Sequence, residues 1–310
     1  MNFKLLIIIS LLLPLGSHAE IYQWTDEHGI THFGDRAHTS KKQQGKARQV
    51  ELKLKQQRNF DLDIIPINYP LPRSLEQKVQ LAIRKIHQIY TQRLGLSLDN
   101  IGTFTLKIFG TQQDFQHYRK QHYPNSKSAT GIYSSTRKEA IVWRNKSVQH
   151  MMSVITHEMS HALLDIEYPH SVPTWINEGL AEYFENMRVA GQGITVPKSE
   201  GWLRQVRRAQ QSQRLPSLRS LLSWGHKKWR RHDSNSKGLS YAQSWTLMYF
   251  LMRKNHQTGV VKALLNDIKT QGKYFSSTTT LEKHYPGGIT QLESDWEKWT
   301  WRDFHQVHQY

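Results

Sequence analysis

The chain has 310 residues, no cysteine, and 42 Lys and Arg against 25 Asp and Glu, a formal net charge of +17. That length has room for one sizeable core and a small accessory module, and the missing cysteines exclude disulfides, thiolate ligands, a cysteine nucleophile and a lipid-modified cysteine. The positive charge suits either solvated faces or contact with an anionic cell-envelope surface, but no aromatic-interleaved basic motif accompanies it, so nucleic acid is not expected as a partner.

Residues 1–19 read as a secretory signal. Lys4 supplies the positive start, Leu5 to Leu15 the apolar core and Ser17-His18-Ala19 a small-x-small cleavage site, with Glu20 opening the mature chain. The apolar core is too short to span a bilayer. No later segment is apolar over that length, so the mature protein is expected outside the cytoplasm without a transmembrane segment. In residues 20–37, Ile21-Tyr22-Gln23-Trp24-Thr25 and Ile30-Thr31-His32-Phe33 alternate apolar and polar about Gly29, the pattern of a β-hairpin. Tyr22, Trp24, Gly29, Phe33 and Asp35 make this stretch similar to a small domain of unknown function that stands behind signal peptides in many proteobacterial envelope proteins. Residues 38–58 carry Lys41, Lys42, Lys46, Arg48, Lys53, Lys55 and Arg58 against the single acid Glu51. Such a tract cannot bury a core and reads as a basic linker, with helix expected only in its second half.

Residues 59–310 read as one domain. Asp61 to Pro72 is apolar and extended. Ser74, with Gln77 three residues on, is expected to cap a helix whose period runs through Leu75, Val79, Ala82, Ile86, Ile89 and Leu94 to a stop at Gly95. A strand over Thr103 to Phe109, a helix over Gln112 to His122 and a hairpin over Gly131 to Trp143, turning at residues 135–138, come next.

The chemistry begins with Thr156-His157-Glu158-Met159-Ser160-His161. Val148, Met152, Ile155, Met159 and Leu163 give this segment a helical apolar stripe. Residues four apart share a helix face, so His157 and His161 can offer imidazole nitrogens to one metal ion. Glu158 is turned round the helix from His157, beside the metal but not a ligand, where a general base belongs. A catalytic zinc takes three protein ligands and keeps one position open. Glu178 can be the third, since residues 162–177 suffice for a helix end, a loop with Pro169 and Pro173, and the start of a second helix. Gly179 would let the two helices approach closely. Glu182, one turn after Glu178, is the candidate for a carboxylate that orients a liganding histidine through its other N–H.

Pro173-Thr174-Trp175-Ile176-Asn177-Glu178-Gly179-Leu180-Ala181-Glu182-Tyr183-Phe184-Glu185, together with the preceding His-Glu-x-x-His, resembles the gluzincin group of metallopeptidases, in particular its peptidase-MA-like families. The resemblance implies an α+β zincin-like domain, a small mixed sheet on a mainly helical lobe, holding one Zn²⁺. It implies hydrolysis of peptide or protein substrates by a metal-activated water with Glu158 as general base. It further implies that Ala140 to Trp143 is the cleft-edge strand, that Tyr241 in Leu239-Ser240-Tyr241-Ala242 donates to the oxyanion, and that the address is the periplasm. For Tyr241, packing against its own helix is the equal alternative. A rival in another class is a zincin-fold binding or scaffold protein of the envelope without turnover; its mark would be loss of the base or a ligand, and neither is lost. An adaptor that attaches to the envelope through the hairpin and linker is a third reading.

Beyond the two metal-site helices, Ile194 to Val196 is expected as a short strand, residues 202–212 and 217–224 as helices, and Lys227 to Arg231 as a basic loop. Helices starting at Leu239, over Val260 to Lys269 and over Ile289 to Phe304 complete the chain, with Trp296, Trp299 and Trp301 expected in the core.

Overall fold

The computed structural model of the chain describes residues 22–25, 31–34, 48–49, 62–98, 102–145, 147–169, 171–191, 193–302 and 307–310. The signal segment 1–19 and the linker 38–58, save Arg48 and Gln49, lie outside them. The fold is α+β, in two units, Met1–Asn59 and Phe60–Tyr310.

In the first unit, β1 (Tyr22–Thr25) pairs antiparallel with β2 (Thr31–Gly34), register Tyr22 to Gly34 and Thr25 to Thr31. The expected hairpin is present. It gains a third strand from the expected linker, where β3 (Arg48–Gln49) pairs antiparallel with the other edge of β1. Two strands alone are marginal in water, and a third partner for β1 meets that need.

The second unit opens with β4 (Leu62–Ile67) and α1 (Arg73–Gln88), which a single π turn, Ile89–Arg93, extends. Pro72, not Ser74, stands at the helix start, and no side chain caps it. Its fixed φ favours helix entry, and its missing N–H leaves no donor there to satisfy. The sheet is completed by β5 (Phe104–Phe109), β6 (Gly131–Ser134) and β7 (Glu139–Trp143), with α2 (Gln112–His122) between β5 and β6. Strand order is β4-β5-β7-β6, parallel except for the β6–β7 hairpin. Ala140 to Trp143 is therefore an interior strand, and β4 and β6 are the edges. Side chains alternate across β7: Ala140 and Val142 enter the main core, whereas Ile141 packs with Phe109 and Phe115 beneath α2.

On the main-core face lie α3 (Val148–Glu167) and α4 (Thr174–Glu185), packed on each other, with β6 against α3. Ser147 caps α3 by accepting the His150 N–H at 3.1 Å. The α3 stripe is buried from Met152 to Leu163, but Val148, in the first turn, is exposed. Next come β8 (Arg188–Ala190), β9 (Gly193–Pro197), α5 (Glu200–Gln211), α6 (Leu218–Ser223), α7 (His226–Asn235) and α8 (Leu239–Leu251). The expected basic loop is thus the helix α7, anchored by a fully buried Trp229. The chain ends in α9 (Asn255–Gln271), α10 (Ser277–His284), α11 (Gly288–Trp301) and β10 (Val307–Gln309). β10 pairs antiparallel with β9, which pairs with β8. Trp296 and Trp299 are buried as expected, while Trp301 is half exposed against Arg207.

α8 is buried along almost its whole length and packs on α4. The approach is close at Gly179, where a Cβ would stand 2.9 Å from the Ser244 carbonyl oxygen. The glycine beside Glu178 therefore serves α4 against α8, not α4 against α3. No helix among the described residues is long and apolar enough to cross a membrane.

Candidate metal centre

One turn of α3 and the middle of α4 face each other across the site. His157 and His161, one turn apart, have ring centroids 4.9 Å apart, and both Nε2 atoms point to the same Glu178 oxygen, at 3.8 and 3.7 Å. One donor atom from each of the three lies within 4.8 Å of the others. Bonds of about 2.0–2.2 Å at tetrahedral angles would set ligand atoms about 3.3–3.6 Å apart. Two imidazoles and one carboxylate, nearly at that separation, fit a zinc-type divalent cation. A second cluster shares His157, through its other nitrogen, with Glu182 and Glu185. In it the imidazole Nδ1 is already hydrogen-bonded to Glu185, so it serves to orient the ring.

Those outer contacts depart from expectation. Glu185 Oε2 holds His157 Nδ1 at 2.9 Å, and Glu182 stands 3.8 Å away. Glu182 instead accepts the Trp202 Nε1–H at 2.9 Å. His161 Nδ1 is held by Asn177 Oδ1 at 3.0 Å. Glu178, Glu182 and Glu185 all fall on one face of α4, at i, i+4 and i+7, so the sequence carried a signal for Glu185; the choice between it and Glu182 depends on how α4 rolls against α3.

Helix α3 is pinned from behind. Ser160, between the two histidines, is hydrogen-bonded to the buried Tyr90 hydroxyl at 2.7 Å, and the π turn at Ile89–Arg93 carries that tyrosine. Thr156 Oγ1 donates to the Phe184 carbonyl at 2.9 Å, tying α3 to the end of α4. In front, β6 comes so near that a Cβ on Gly131 would lie 2.4 Å from Val154 Cγ1 and 3.0 Å from Glu158 Oε1.

Glu158 is buried beside His157, His161 and Glu178. Burial raises its pKa, His157 and His161 pull it down, and the net is a carboxyl above its usual range. For His157, burial disfavours the charged imidazole, but the Glu185 hydrogen bond and the carboxylates Glu158, Glu182 and Glu185 outweigh it and push the pKa up to about 10. Burial, and then Glu185, raises Glu182 to about 7. Carboxylates crowded round neutral-capable ligands make a potential that favours a cation.

The site opens into a polar cavity of about 720 Å³, whose walls include Tyr133 of β6, His226 and Arg230 of α7, and Tyr241. Arg230 Nη1 donates to the Tyr241 hydroxyl at 2.9 Å, leaving the tyrosine proton available to an acceptor in the cavity. Burial, and then Glu178, keeps that hydroxyl protonated well above its ordinary range. His226 and Arg230 were missed in the sequence because α7 reads as a charged loop.

Two family models match this chain. Residues 8–59 match a Domain of unknown function (DUF4124), and residues 151–271 match a Protein of unknown function (DUF1570). The first match runs past the hairpin and includes β3. The second contains His157, Glu158, His161, Glu178, Glu182 and Tyr241. No curated protein matches the chain.

Proposed function

We propose that the chain is a zinc-dependent peptidase of gluzincin type, secreted across the inner membrane to the periplasm, with residues 59–310 as its catalytic domain. The observation that carries this reading is the convergence of His157, His161 and Glu178 about one point with the buried Glu158 beside it. His157, His161 and Glu178 would hold the zinc, with Glu185 and Asn177 fixing the two rings. Zinc, when bound, supplies Lewis acidity, which acidifies water and polarises a carbonyl.

Glu158 is the general base: its raised pKa strengthens it as a proton acceptor from water, and it then carries the proton to the leaving amine. Tyr241, with Arg230 donating to its oxygen, offers an O–H to the developing oxyanion. The chain's residues thus divide into ligands, base and oxyanion donor without overlap.

The test is Glu158→Gln, which keeps the shape of the side chain and removes the base. Zinc content should stay at the wild-type level, while hydrolysis of a quenched-fluorescent peptide library falls at least a thousand-fold, on the order of the general-base contribution and more. Equal turnover by the two proteins would remove Glu158 from the mechanism. Zinc binding with no turnover in wild type would favour the scaffold reading.

A further inference from the structure

A second cleft, of about 840 Å³, lies between α5, the turn that follows it and the α7–α8 junction. Arg204 and Arg208 line it from one face of α5, Arg214 from the following turn, and Lys237 and His232 from the junction. No carboxylate lines it. Helices α5 and α7 have a single acid each and α8 has none, and both acids are engaged elsewhere. Glu200 of α5 pairs with Lys198 at 2.9 Å. Asp233 of α7 accepts the Tyr241 backbone N–H at 3.3 Å, at the start of α8.

Some other cations of this domain are matched, such as Lys107 with Glu139, Lys138 with Asp165, Lys269 with Glu167 and Arg219 with Glu282. Arg204 and Arg208 have no carboxylate partner among the described residues, and at i, i+4 spacing they repel each other. The cleft is held in shape across its width, because Gln205 Nε2 donates to the Lys237 carbonyl at 2.9 Å. Lys237 itself takes a left-handed conformation, φ 55°, unusual for a side-chain-bearing residue.

We propose that this cleft binds a phosphate-bearing ligand. Guanidinium groups match phosphate oxygens through paired N–H donors, and convergent, uncompensated cations gain most from a multiply charged anion. The cleft, at about 840 Å³, has room for several phosphates or for a phosphate on a larger body. A soluble polyphosphate ester and a phospholipid headgroup share this chemistry.

The test is calorimetric titration of the purified protein with inorganic pyrophosphate, and co-sedimentation with phosphatidylcholine vesicles with and without phosphatidylglycerol. Three proteins are compared: wild type, Arg204→Gln/Arg208→Gln, and Arg73→Gln/Arg84→Gln, which removes the same charge from α1. Saturable binding weakened at least tenfold in the cleft variant, and changed less than twofold in the α1 variant, supports the proposal. Seen with pyrophosphate alone it identifies a soluble ligand; seen only with phosphatidylglycerol vesicles it identifies a lipid headgroup. Binding that persists in the cleft variant, as at the metal centre, or that falls equally in both variants, overturns it, as does no saturable binding to either probe. Lys237→Gln, on the opposite wall, must reproduce the loss if the double variant unfolds at a lower temperature.

Discussion

His157 is gripped on both nitrogens: Nε2 faces Glu178 and Nδ1 faces Glu185. Such outer carboxylates fix the tautomer and orientation of a ligand, and losing one typically weakens metal binding about 10–100-fold. Glu185→Ala should therefore lower zinc affinity by that factor in a chelator competition, while Glu182→Gln, whose residue bonds Trp202, should lower it less. The reverse order would return the orienting role to Glu182. A second residue sets a pH dependence. His308 of β10 is buried, hydrogen-bonded to the Tyr183 hydroxyl at 2.7 Å, and its pKa is lowered to about 4 by burial and then by Arg253 and Arg93. The folded state keeps the ring neutral where the unfolded chain, near 6.5, takes a proton. Its contribution is therefore complete above pH 6.5 and is lost as pH falls toward 4, a span worth about 3 kcal/mol. Urea titrations from pH 7 to 4 should show a shallower loss of stability for His308→Gln than for wild type; equal slopes would mean that His308 titrates normally.

Among the elements, α4 carries the largest structural burden, since its two faces serve α3 and α8. Alanine at position 179 would gain about 1 kcal/mol of helix propensity over glycine in an open helix. Here the added Cβ would stand 2.9 Å from a backbone oxygen of α8 and 3.3 Å from the Met248 Cβ, and backbone cannot swing aside. Overpacking of about 1–3 kcal/mol should prevail, so Gly179→Ala is expected to lower the unfolding free energy; a stabilised variant would show that α8 yields freely. The same contacts explain what was legible in the sequence. Helix α2 and the strands β6 and β7 declare themselves through local periodicity and turns, and α3 and α4 through the spacing of His157, His161 and Glu178. The order of strands does not, because parallel pairing of β5 with β7 joins segments far apart in sequence, and the edge position that the resemblance implies for Ala140 to Trp143 falls to β6. Helix α7 was hidden because His226–Asn235 buries one side chain, Trp229, and no apolar stripe. The partner of Gly179 and the choice of Glu185 over Glu182 belong to tertiary packing and have no local signature.

For the whole molecule, charge is distributed against its own average. The chain is basic by +17, yet Glu158, Glu178, Glu182 and Glu185 crowd one cavity of the Phe60–Tyr310 unit, while the Arg204–Arg208 cleft of the same unit has no acid in its lining. A carboxylate-rich cavity on a basic chain focuses attraction for cations at that cavity, while the net charge favours approach of anions elsewhere. Whether three side chains from two helices form one metal centre is decided by elemental analysis of purified wild type and Glu178→Ala after equilibration with zinc and removal of excess. About one zinc per chain in wild type, with clear loss in the variant and in a parallel His161→Ala control, is the predicted result. Zinc absent from wild type, or retained in full by Glu178→Ala, would contradict it.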